Sequence, residues 1–401
     1  MGLIEQIRDF SVPSPTKIVM VAIDGLGGLP DPATGKTELE SANTPNMDCL
    51  AFEGNCGLMD PVSPGIIPGS IPGHLAIFGF DPLEYDIGRG AMEAIGINFD
   101  LQAEDIVARG NFATVDENNV ILDRRAGRIA TEKTTELCQL LDGMRIQDVN
   151  LIVRPVKDYR FIVVLRGIGL ASGVSDSDPQ VNGVKPRKII PLNEPAAKTA
   201  DIANKFIIRS KTILNKHHPA NMILLRGFSK RPHFPSLPEI YKVQAAAISS
   251  FPAYKGLSRL VGLDVLETGN EIEDQFNTLD EYFKDYNFFY LHVKQVDTAG
   301  EDGNFSRKVE LITRVDKLLG NVIRLNPEVM VIASDHSTPA IMALHSWHPV
   351  PVLIHSKWCR PDKINKFSEN SCLKGGLGRF PAVQLMPQVM AHALKLGKFG
   401  A

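Results

Sequence analysis

The chain has 401 residues, with 43 lysines and arginines against 46 aspartates and glutamates, so its net charge at pH 7 is −3. Apolar residues make up 44% of it and charged residues 22%, which is typical of a globular protein and excludes a disordered chain or a basic nucleic-acid-coating surface. No apolar run approaches the ~20 residues that a membrane-spanning helix needs. Glu5, Arg8 and Asp9 interrupt what would be the apolar core of a signal peptide, and the five cysteines form no Cys-x-x-Cys pair. We predict a cytoplasmic protein without membrane or nucleic-acid partners; whether it forms a homo-oligomer is left open by the sequence.

Strand and helix patterns alternate along the chain, which predicts an α/β fold with helices flanking a central, mostly parallel sheet. The first predicted strand covers residues 17–23, and Asp24 follows directly at its C-terminal end. In open α/β sheets, ligands bind beyond the carboxyl ends of the strands. Asp24 is therefore a candidate metal ligand, although a lone Asp at this place can also be a helix cap or a turn residue.

A loop rich in glycine and proline, residues 64–74, leads into a predicted helical segment at 75–78 and puts Ser70 near the helix start. Backbone N–H groups and the positive end of the helix dipole favour an ionised alkoxide and a bound phosphate there. Ser70 is therefore a candidate nucleophile. The alternative is that Ser70 only caps the helix, since serine is common at that position.

The middle of the chain contains enough predicted structure for a core of its own, and we predict that residues 89–238 form an inserted domain. Its predicted elements are strands at 159–165 and 222–225 and a helix at 196–215. The proline-rich segment 231–238 cannot be helical and is interpreted as the return linker. A discontinuous core domain would then consist of residues 1–88 and 239–401.

Arginines beside glycines recur in this predicted domain, and planar guanidinium groups match phosphate and carboxylate groups. The candidates for anion binding are Arg124, Arg128, Arg160, Arg166 and Arg226. Each of them could instead be a solvated surface residue. Asp176 and Asp178 belong to an Asp-Ser-Asp-Pro segment, so they are either general bases or turn formers.

The C-terminal part of the chain again brings acidic and histidine side chains to strand ends. The predicted strands are 287–293, 328–333 and 350–354, with an amphipathic crossover helix at 306–324 that completes a βαβ unit. Asp297 lies just past the first of these strands, Asp335 and His336 lie just past the second, and His345 precedes the third. The side chains are therefore expected to converge on one edge of the sheet.

Convergent carboxylates and imidazoles attract divalent metal ions. Glu301, four residues after Asp297, could bind the same ion, or could instead favour the positive end of the following helix. Neutral imidazoles beside carboxylates suit Mn²⁺ or Zn²⁺ better than Ca²⁺ or Mg²⁺, which mostly take oxygen ligands.

Five stretches of this sequence are distinctive together: 21–25, 68–82, 123–128, 174–179 and 334–339. They closely resemble the archaeal-type cofactor-independent phosphoglycerate mutases, a family of the alkaline phosphatase superfamily, and the resemblance covers nearly the whole chain. The metal-binding stretches would be shared with phosphatases and phosphopentomutases. The Asp-Arg-Arg-Ala-Gly-Arg segment at 123–128 is more specific to the mutases.

The resemblance implies an alkaline-phosphatase-like core, two divalent metal ions, and no need for 2,3-bisphosphoglycerate. By motif position, one ion would be held by Asp24, Ser70, Asp335 and His336, and the other by Asp297, Glu301 and His345. The phosphate of 3-phosphoglycerate would pass to Ser70 and return to the 2-oxygen of the re-oriented glycerate, a step of glycolysis and gluconeogenesis. The five arginines above and Lys255 would hold the substrate, Asp176 or Asp178 would move protons, and closure of the inserted domain would exclude water.

One residue departs from the family pattern, because Glu301 stands where the family typically has a histidine ligand. Four carboxylates and an alkoxide would then face two divalent ions, which should tilt the site from Zn²⁺ toward Mn²⁺ or Mg²⁺. We expect Mn²⁺, with Zn²⁺ and Mg²⁺ as alternatives. The departure also keeps two rival functions open. One is a metal-dependent phosphohydrolase built on the same core, and the other is a catalytically silent binding protein.

Overall fold

The computed structural model describes residues 3–85, 87–398 and 400 of the chain; of the N-terminal segment considered above, Met1 and Gly2 lie outside the described residues. The chain divides into two compact units, which we call the core unit (Met1–Tyr85 with Phe234–Ala401) and the inserted unit (Asp86–His233). The predicted domain boundaries, after residues 88 and 238, lie three and five residues further along the chain. The functional roles assigned to the two domains stay predictions.

The strands among the described residues are β1 (Ile18–Ile23), β2 (Asn55–Asp60), β3 (Ile106–Val115), β4 (Ile121–Asp123), β5 (Arg145–Ile146), β6 (Val149–Pro155), β7 (Arg160–Arg166), β8 (Met222–Lys230), β9 (Ala245–Ile248), β10 (Asp264–Leu266), β11 (Phe288–Val293), β12 (Val329–Ala333), β13 (Val350–Ser356) and β14 (Gly378–Pro381).

The α-helices among the described residues are α1 (Leu3–Phe10), α2 (Glu38–Ser41), α3 (Pro45–Glu53), α4 (Ser70–Ile77), α5 (Arg89–Gly96), α6 (Thr131–Leu141), α7 (Ala197–Leu214), α8 (Leu237–Tyr241), α9 (Pro252–Leu260), α10 (Ile272–Tyr282), α11 (Gln295–Glu301), α12 (Phe305–Leu325), α13 (Glu369–Cys372) and α14 (Leu385–His392). None of these helices is both long and apolar enough to cross a membrane.

The core unit is built on a sheet of eight strands in the order β10-β9-β11-β1-β12-β13-β2-β14. The first five strands are parallel to one another, which confirms the predicted α/β class and mostly parallel sheet. β1, β11 and β12 are fully buried, as expected for central strands covered by helices on both faces. The strand predicted at 350–354 is present as β13 but runs antiparallel to β12, because residues 334–349 contain no crossover helix and the chain simply turns back.

α12 is the crossover helix predicted between β11 and β12, which lie on either side of β1. It begins after Asn304, whose side chain accepts a hydrogen bond from the backbone N–H of Arg307, and it ends at Asn326 in the left-handed conformation. Its apolar face is buried against the sheet, with Ile312 and Leu319 fully enclosed. The carboxyl ends of β11 and β12, and of β1 between them, therefore lie at the same edge of the sheet.

The inserted unit contains a smaller sheet in the order β4-β3-β7-β6-β5, with β8 also paired to β3. The pairings among its described strands are antiparallel, so this unit mixes helices with an antiparallel sheet. Its apolar core lies between the sheet and the helices α6 and α7, while α5 packs on β3 and β8. Arg109 and the core residue Phe112, three positions apart on β3, therefore face opposite sides of the sheet.

The prediction that residues 231–238 cannot be helical is wrong for the last two of them. α8 begins at Leu237 and has Pro238 in its first turn. A proline is tolerated there, because the first N–H groups of a helix have no partner within the helix.

Candidate active site

Four of the predicted site residues meet at the carboxyl ends of β1 and β12, which are parallel neighbours. Asp24 follows β1, Asp335 and His336 follow β12, and Ser70 is the first residue of α4. Asp24, Asp335 and His336 are fully buried, and Ser70 is partly exposed. The sheet therefore brings together residues that are up to 312 positions apart in sequence, from Asp24 to His336.

Ser70 is directed at this cluster and does not cap α4. The N-cap residue is Gly69, and no side chain caps this end of the helix. The hydroxyl of Ser70 lies 3.0 Å from Nε2 of His336, within hydrogen-bonding distance. The arrangement is that expected of a nucleophile beside a group that can take its proton or share a metal ion with it.

His336 lies at the centre of the cluster. Its Nε2 atom is 3.3 Å from Oδ1 of Asp24 and 3.0 Å from Oδ2 of Asp335. Burial alone would raise the pKa of Asp335, but the adjacent imidazoles of His336 and His74 hold it well below its ordinary value. Oδ2 of Asp335 is nevertheless buried without a well-aligned hydrogen bond. Nδ1 of His74 lies 3.1 Å from it, but Nδ1 is hydrogen-bonded to the backbone carbonyl of Ser70.

A second group of predicted ligands lies next to the first. Asp297 and Glu301 are four residues apart on α11, so they lie on one face of that helix. Nε2 of His345 is 3.7 Å from Oδ1 of Asp297 and 3.4 Å from Oε1 of Glu301. The ring of His345 stacks on that of His336, with 3.6 Å between the ring centroids. His336 thereby links the two groups.

Three further side chains of the cluster were not predicted: His74, His292 and Lys294. Nε2 of His292 lies 3.0 Å from Oδ2 of Asp24, and burial lowers the pKa of His292 to about 4. Nζ of Lys294 lies between Asp24, at 3.2 Å, and Asp297, at 2.6 Å. Two sequence signals were available, because His74 follows Ser70 by one helical turn, and His292, near the end of β11, lies two positions before Lys294, which follows the strand.

The donor atoms of this cluster fit a divalent metal site. Three compact groups have ligand atoms close enough to share an ion: Asp24 with Asp335 and His336, Asp297 with His336 and His345, and Asp24 with His74 and His292. Three carboxylates are fully buried, whereas Lys294 is the one lysine that the described contacts place among them. Buried carboxylates need compensating positive charge, and the unbonded Oδ2 of Asp335 offers a free ligand atom for it.

Lys255, predicted to hold the substrate, is not part of this cluster in the described contacts. It lies on α9, and its ammonium group is 3.1 Å from Oε2 of Glu267. Its neighbour Tyr254 does reach the cluster, since its ring stacks on that of His292 with 3.7 Å between centroids. Burial, followed by the charge of Asp24, raises the pKa of Tyr254 well above its ordinary value.

In the inserted unit, two of the predicted arginines form bidentate pairs with carboxylates. Arg124 donates to both oxygens of Asp178 at 2.8 and 2.7 Å, and Arg166 donates to both oxygens of Asp105 at the same distances. Arg166 lies at the opposite end of β7 from Arg160. Both guanidinium groups are therefore already engaged by carboxylates of the unit.

Arg160 and Arg226 form an arginine cluster with two arginines that were not predicted, Arg89 and Arg109. Arg109 on β3 pairs in register with Arg226 on β8, and both Arg109 and Arg160 approach one oxygen of Glu93, at 3.0 and 3.6 Å. Burial, opposed by Glu93 but reinforced by the other arginines, lowers the pKa of Arg109 to about 10. Nε of Arg226 is buried without a hydrogen-bond partner among the described residues.

An excess of guanidinium groups over carboxylates makes this arginine cluster suited to an anionic ligand. The predicted residue Arg128 is exposed, in the left-handed conformation, and no described ion pair joins it to the cluster.

Asp176 lies beside the cluster and accepts a hydrogen bond from the backbone N–H of Gly227 at 2.8 Å.

The contact between Glu301 and His345 predicts a pH-dependent stability of the metal-free protein. Burial alone would lower the pKa of His345. The Glu301 carboxylate, helped by the Pro68 carbonyl and Asp297, instead raises this pKa from 6.5 to about 9. Protonated His345 therefore stabilises the fold fully below pH 6.5, and this contribution is lost as the pH rises through 9.

We expect the Glu301→Gln variant, unfolded by heat in the presence of a chelator, to lose less stability than the wild type between pH 6.5 and 9. The Glu53→Gln variant is a matched control, because it removes the surface pair of Glu53 with His355. It should follow the wild-type profile. Identical profiles for the wild type and Glu301→Gln would contradict the assigned contact.

Comparisons with known proteins identify the family. Residues 51–221 match the family model described as 2,3-bisphosphoglycerate-independent phosphoglycerate mutase. A Thermotoga neapolitana protein named as a probable 2,3-bisphosphoglycerate-independent phosphoglycerate mutase is 48% identical over 388 residues, which cover 96% of each chain. Among solved structures, a Pyrococcus horikoshii protein has a TM-score of 0.80 at 31% identity, covering 96% of this chain and 99% of its own. The cofactor-independent phosphoglycerate mutase of Thermoplasma acidophilum has a TM-score of 0.76 at 27% identity, covering 94% and 100%. With this similarity along nearly its whole length, the chain belongs to the 2,3-bisphosphoglycerate-independent phosphoglycerate mutases.

Proposed function

We propose that this chain is an isomerase that interconverts 3-phosphoglycerate and 2-phosphoglycerate through a phosphoserine at Ser70, without 2,3-bisphosphoglycerate. The observation that carries the proposal is the hydroxyl of Ser70, which lies 3.0 Å from His336 and beside the buried carboxylates. This hydroxyl is at the first turn of α4, where the helix N-terminus favours a transferred phosphate. Family membership supports the substrate, and we infer a cytoplasmic role in glycolysis and gluconeogenesis.

Two divalent metal ions belong to this proposal. Asp24, Ser70, Asp335 and His336 would hold one ion, and Asp297, Glu301 and His345 would hold the other. The stacked rings of His336 and His345 and the buried carboxylates support both ligand sets. Bound divalent ions stabilise an ionised serine and the charge on transferring phosphoryl oxygens. The oxygen donors favour Mn²⁺ or Mg²⁺ over Zn²⁺, and the imidazoles of His336 and His345 favour Mn²⁺ over Mg²⁺.

The protein's own groups carry the transfer. Ser70 loses its hydroxyl proton, its oxygen attacks the phosphorus of 3-phosphoglycerate, and the bond between phosphorus and the 3-oxygen breaks. The glycerate 3-oxygen takes a proton, and the glycerate re-orients while it stays bound. Its 2-hydroxyl then loses a proton and attacks the phosphoserine, which restores Ser70 and releases 2-phosphoglycerate. Lys294, between Asp24 and Asp297, holds these carboxylates in place.

The inserted unit supplies groups for the glycerate and its phosphate. We infer that Arg160 and Arg226, together with Arg89 and Arg109, bind the anionic groups of the substrate, because the two carboxylates of Glu93 and Asp176 do not neutralise four guanidinium groups. Asp176 and Asp178 are the candidate proton carriers. Both oxygens of Asp178 are engaged by Arg124, and Asp178 is buried, whereas Asp176 is partly exposed and uses one oxygen on Gly227. This geometry favours Asp176 as the general base.

Loss of the Ser70 hydroxyl should abolish turnover. We expect the Ser70→Ala variant to convert 3-phosphoglycerate to 2-phosphoglycerate about a thousandfold more slowly than the wild type, or not at all, because no other group can carry the phosphate. The assay contains Mn²⁺ and no bisphosphoglycerate, and the product is followed by enolase coupling. The control is Ser63→Ala in the same loop, which should keep wild-type activity.

The same assay separates the rival functions. Release of inorganic phosphate from 3-phosphoglycerate by the wild type, without 2-phosphoglycerate, would identify a phosphohydrolase. Absence of both products with several divalent metals, and no thermal shift on adding Mn²⁺, would identify a silent binding protein.

Glu301 should determine which metal activates the enzyme. We expect the Glu301→His variant to bind Zn²⁺ more tightly relative to Mn²⁺ than the wild type does, because an imidazole replaces a hard carboxylate oxygen. Calorimetric titration of the metal-free proteins measures the two affinities. Glu310→His is the control, since Glu310 is an exposed residue of α12 that pairs with Arg307. A metal preference equal to that of the wild type in Glu301→His would contradict Glu301 as a ligand.

The arginine cluster should matter more to the substrate than the paired Arg166. We expect Arg226→Gln to raise KM for 3-phosphoglycerate about tenfold or more, since a charged hydrogen bond to the substrate is lost. Arg166→Gln should change KM little, because Arg166 is already engaged by Asp105 at the other end of β7. Steady-state kinetics of the two variants provide the comparison. The reverse order of effects would assign substrate binding to Arg166.

A further inference from the structure

A buried ion pair lies behind the loops that carry the candidate metal ligands. Lys308 on α12 and Glu38 at the start of α2 are both fully buried, and Nζ of Lys308 is 3.8 Å from Oε1 of Glu38. Neither residue reaches the cluster of Asp24, Ser70 and His336 in the described contacts. Placing two charges in a protein interior is costly. The cost is not fully offset here, because Oε2 of Glu38 is buried without a hydrogen-bond partner among the described residues, so the contacts that the pair does make need a reason.

Lys308 joins the two loops through their backbone. Its ammonium group donates to the carbonyl of Gly27 at 3.0 Å and to the carbonyl of Thr338 at 2.8 Å. Gly27 lies three residues after Asp24, and Thr338 lies two residues after His336. Glu38 completes the arrangement, because its Oε1 accepts a hydrogen bond from the backbone N–H of Ala340 at 2.7 Å. The pair thus holds both ends of the segment 338–340.

The surroundings leave this segment no room to move toward α11. A Cβ atom added at Gly300 would lie 2.4 Å from the carbonyl oxygen of Thr338, and one added at Gly27 would lie 2.0 Å from Oγ of Ser337. Both distances are far shorter than real Cβ contacts. The backbone at Gly300 therefore lies directly against Thr338, and the backbone at Gly27 lies directly against Ser337, so a side chain at either glycine would displace the segment.

The side chain of Thr338 faces both candidate metal groups. Its hydroxyl donates to Oδ1 of Asp297 at 2.5 Å, and it lies 2.9 Å from Nδ1 of His336. An ionised carboxylate only accepts hydrogen bonds, so the hydroxyl proton points to Asp297 and the hydroxyl oxygen accepts from Nδ1–H of His336. The lone pair of Nε2 is then free on the side that faces Ser70, Asp24 and Asp335.

We propose that Lys308 and Glu38 are positioning residues that hold Thr338 between Asp297 and His336, and that they thereby set the affinity of the site for divalent metal. The proposal rests on the proposed function only in that it takes these residues as metal ligands. Lys308 fixes the Thr338 carbonyl, Thr338 fixes the tautomer of His336 and the orientation of Asp297, and both ligands are presented ready to bind.

The test compares metal affinity with stability in four variants and one control. Lys308→Met leaves the carboxylate of Glu38 buried without its partner, so it should lower both the melting temperature and the Mn²⁺ affinity. Adding Glu38→Gln removes this carboxylate but keeps an acceptor for Ala340, so the double variant should regain part of the melting temperature; Glu369, which also faces Lys308, keeps its charge in both variants. Its Mn²⁺ affinity, measured by calorimetry on the metal-free protein, should stay lower than that of the wild type by about tenfold or more.

Thr338→Val should reproduce this loss of affinity, because it removes only the hydroxyl, and Thr338→Ser should restore it. Asp316→Asn is the control on the same helix. Asp316 is also fully buried, but it accepts from the backbone N–H groups of Met47 and Asn46, at 2.8 and 3.2 Å. The Asp316→Asn variant should have a lower melting temperature than the wild type and an unchanged Mn²⁺ affinity.

The outcomes separate this proposal from the proposed function. A double variant that regains wild-type Mn²⁺ affinity along with its stability would show that the pair is only structural and would overturn the proposal. Unchanged affinity in Thr338→Val would overturn it as well. A wild-type protein that binds no Mn²⁺ would instead overturn the metal-dependent function and this inference with it.

Discussion

The site depends on one constraint, which is the burial of like charges at the edge of the core sheet. Asp24, Asp297 and Asp335 follow three parallel strands, β1, β11 and β12, and all three are fully buried. Carboxylates this close repel one another, and burial adds the cost of desolvation. The rest of the cluster compensates this negative charge. Lys294 lies between Asp24 and Asp297, the imidazoles of His74 and His336 lie beside Asp335, and the donor set fits divalent cations.

The strand-end residues were predictable because a strand and the residue that ends it are local features of a sequence. Asp24 and Asp335 could be assigned to one edge without knowledge of the strand order, since parallel strands end on the same side. His74 and His292 were not predicted because their role depends on which helix face and strand face meet, and this is set by packing. The tautomer of His336 likewise depends on Thr338, whose part follows from its contacts in the fold.

In the inserted unit, the sequence predicted the members of the arginine cluster less well. Glycine-flanked arginines drew attention to Arg226, but the same signal also selected Arg166, whose guanidinium is occupied by Asp105. Arg109 was missed although Gly110 follows it, because the pair lies within an otherwise largely apolar strand, whereas the glycines after Arg166 and Arg226 were interpreted as parts of loops. Its partners are on β8 and α5, so only the antiparallel register and the packing of α5 bring the arginine cluster together.

The position of Glu301 explains how the cluster accommodates a fourth carboxylate, at the place where the resemblance led us to expect a histidine. The side chain of Glu301 is 52% exposed, whereas that of Asp297 is fully buried. An added negative charge at this rim keeps much of its hydration, and the protonated ring of His345 beside it balances the charge when no metal is bound. Asp297 and Asp335 are buried, so an exchange between carboxylate and imidazole at either of them would change the charge of the interior. An exchange between imidazole and carboxylate therefore costs least at this exposed corner of the cluster, where it leaves the buried carboxylates beside Ser70 undisturbed.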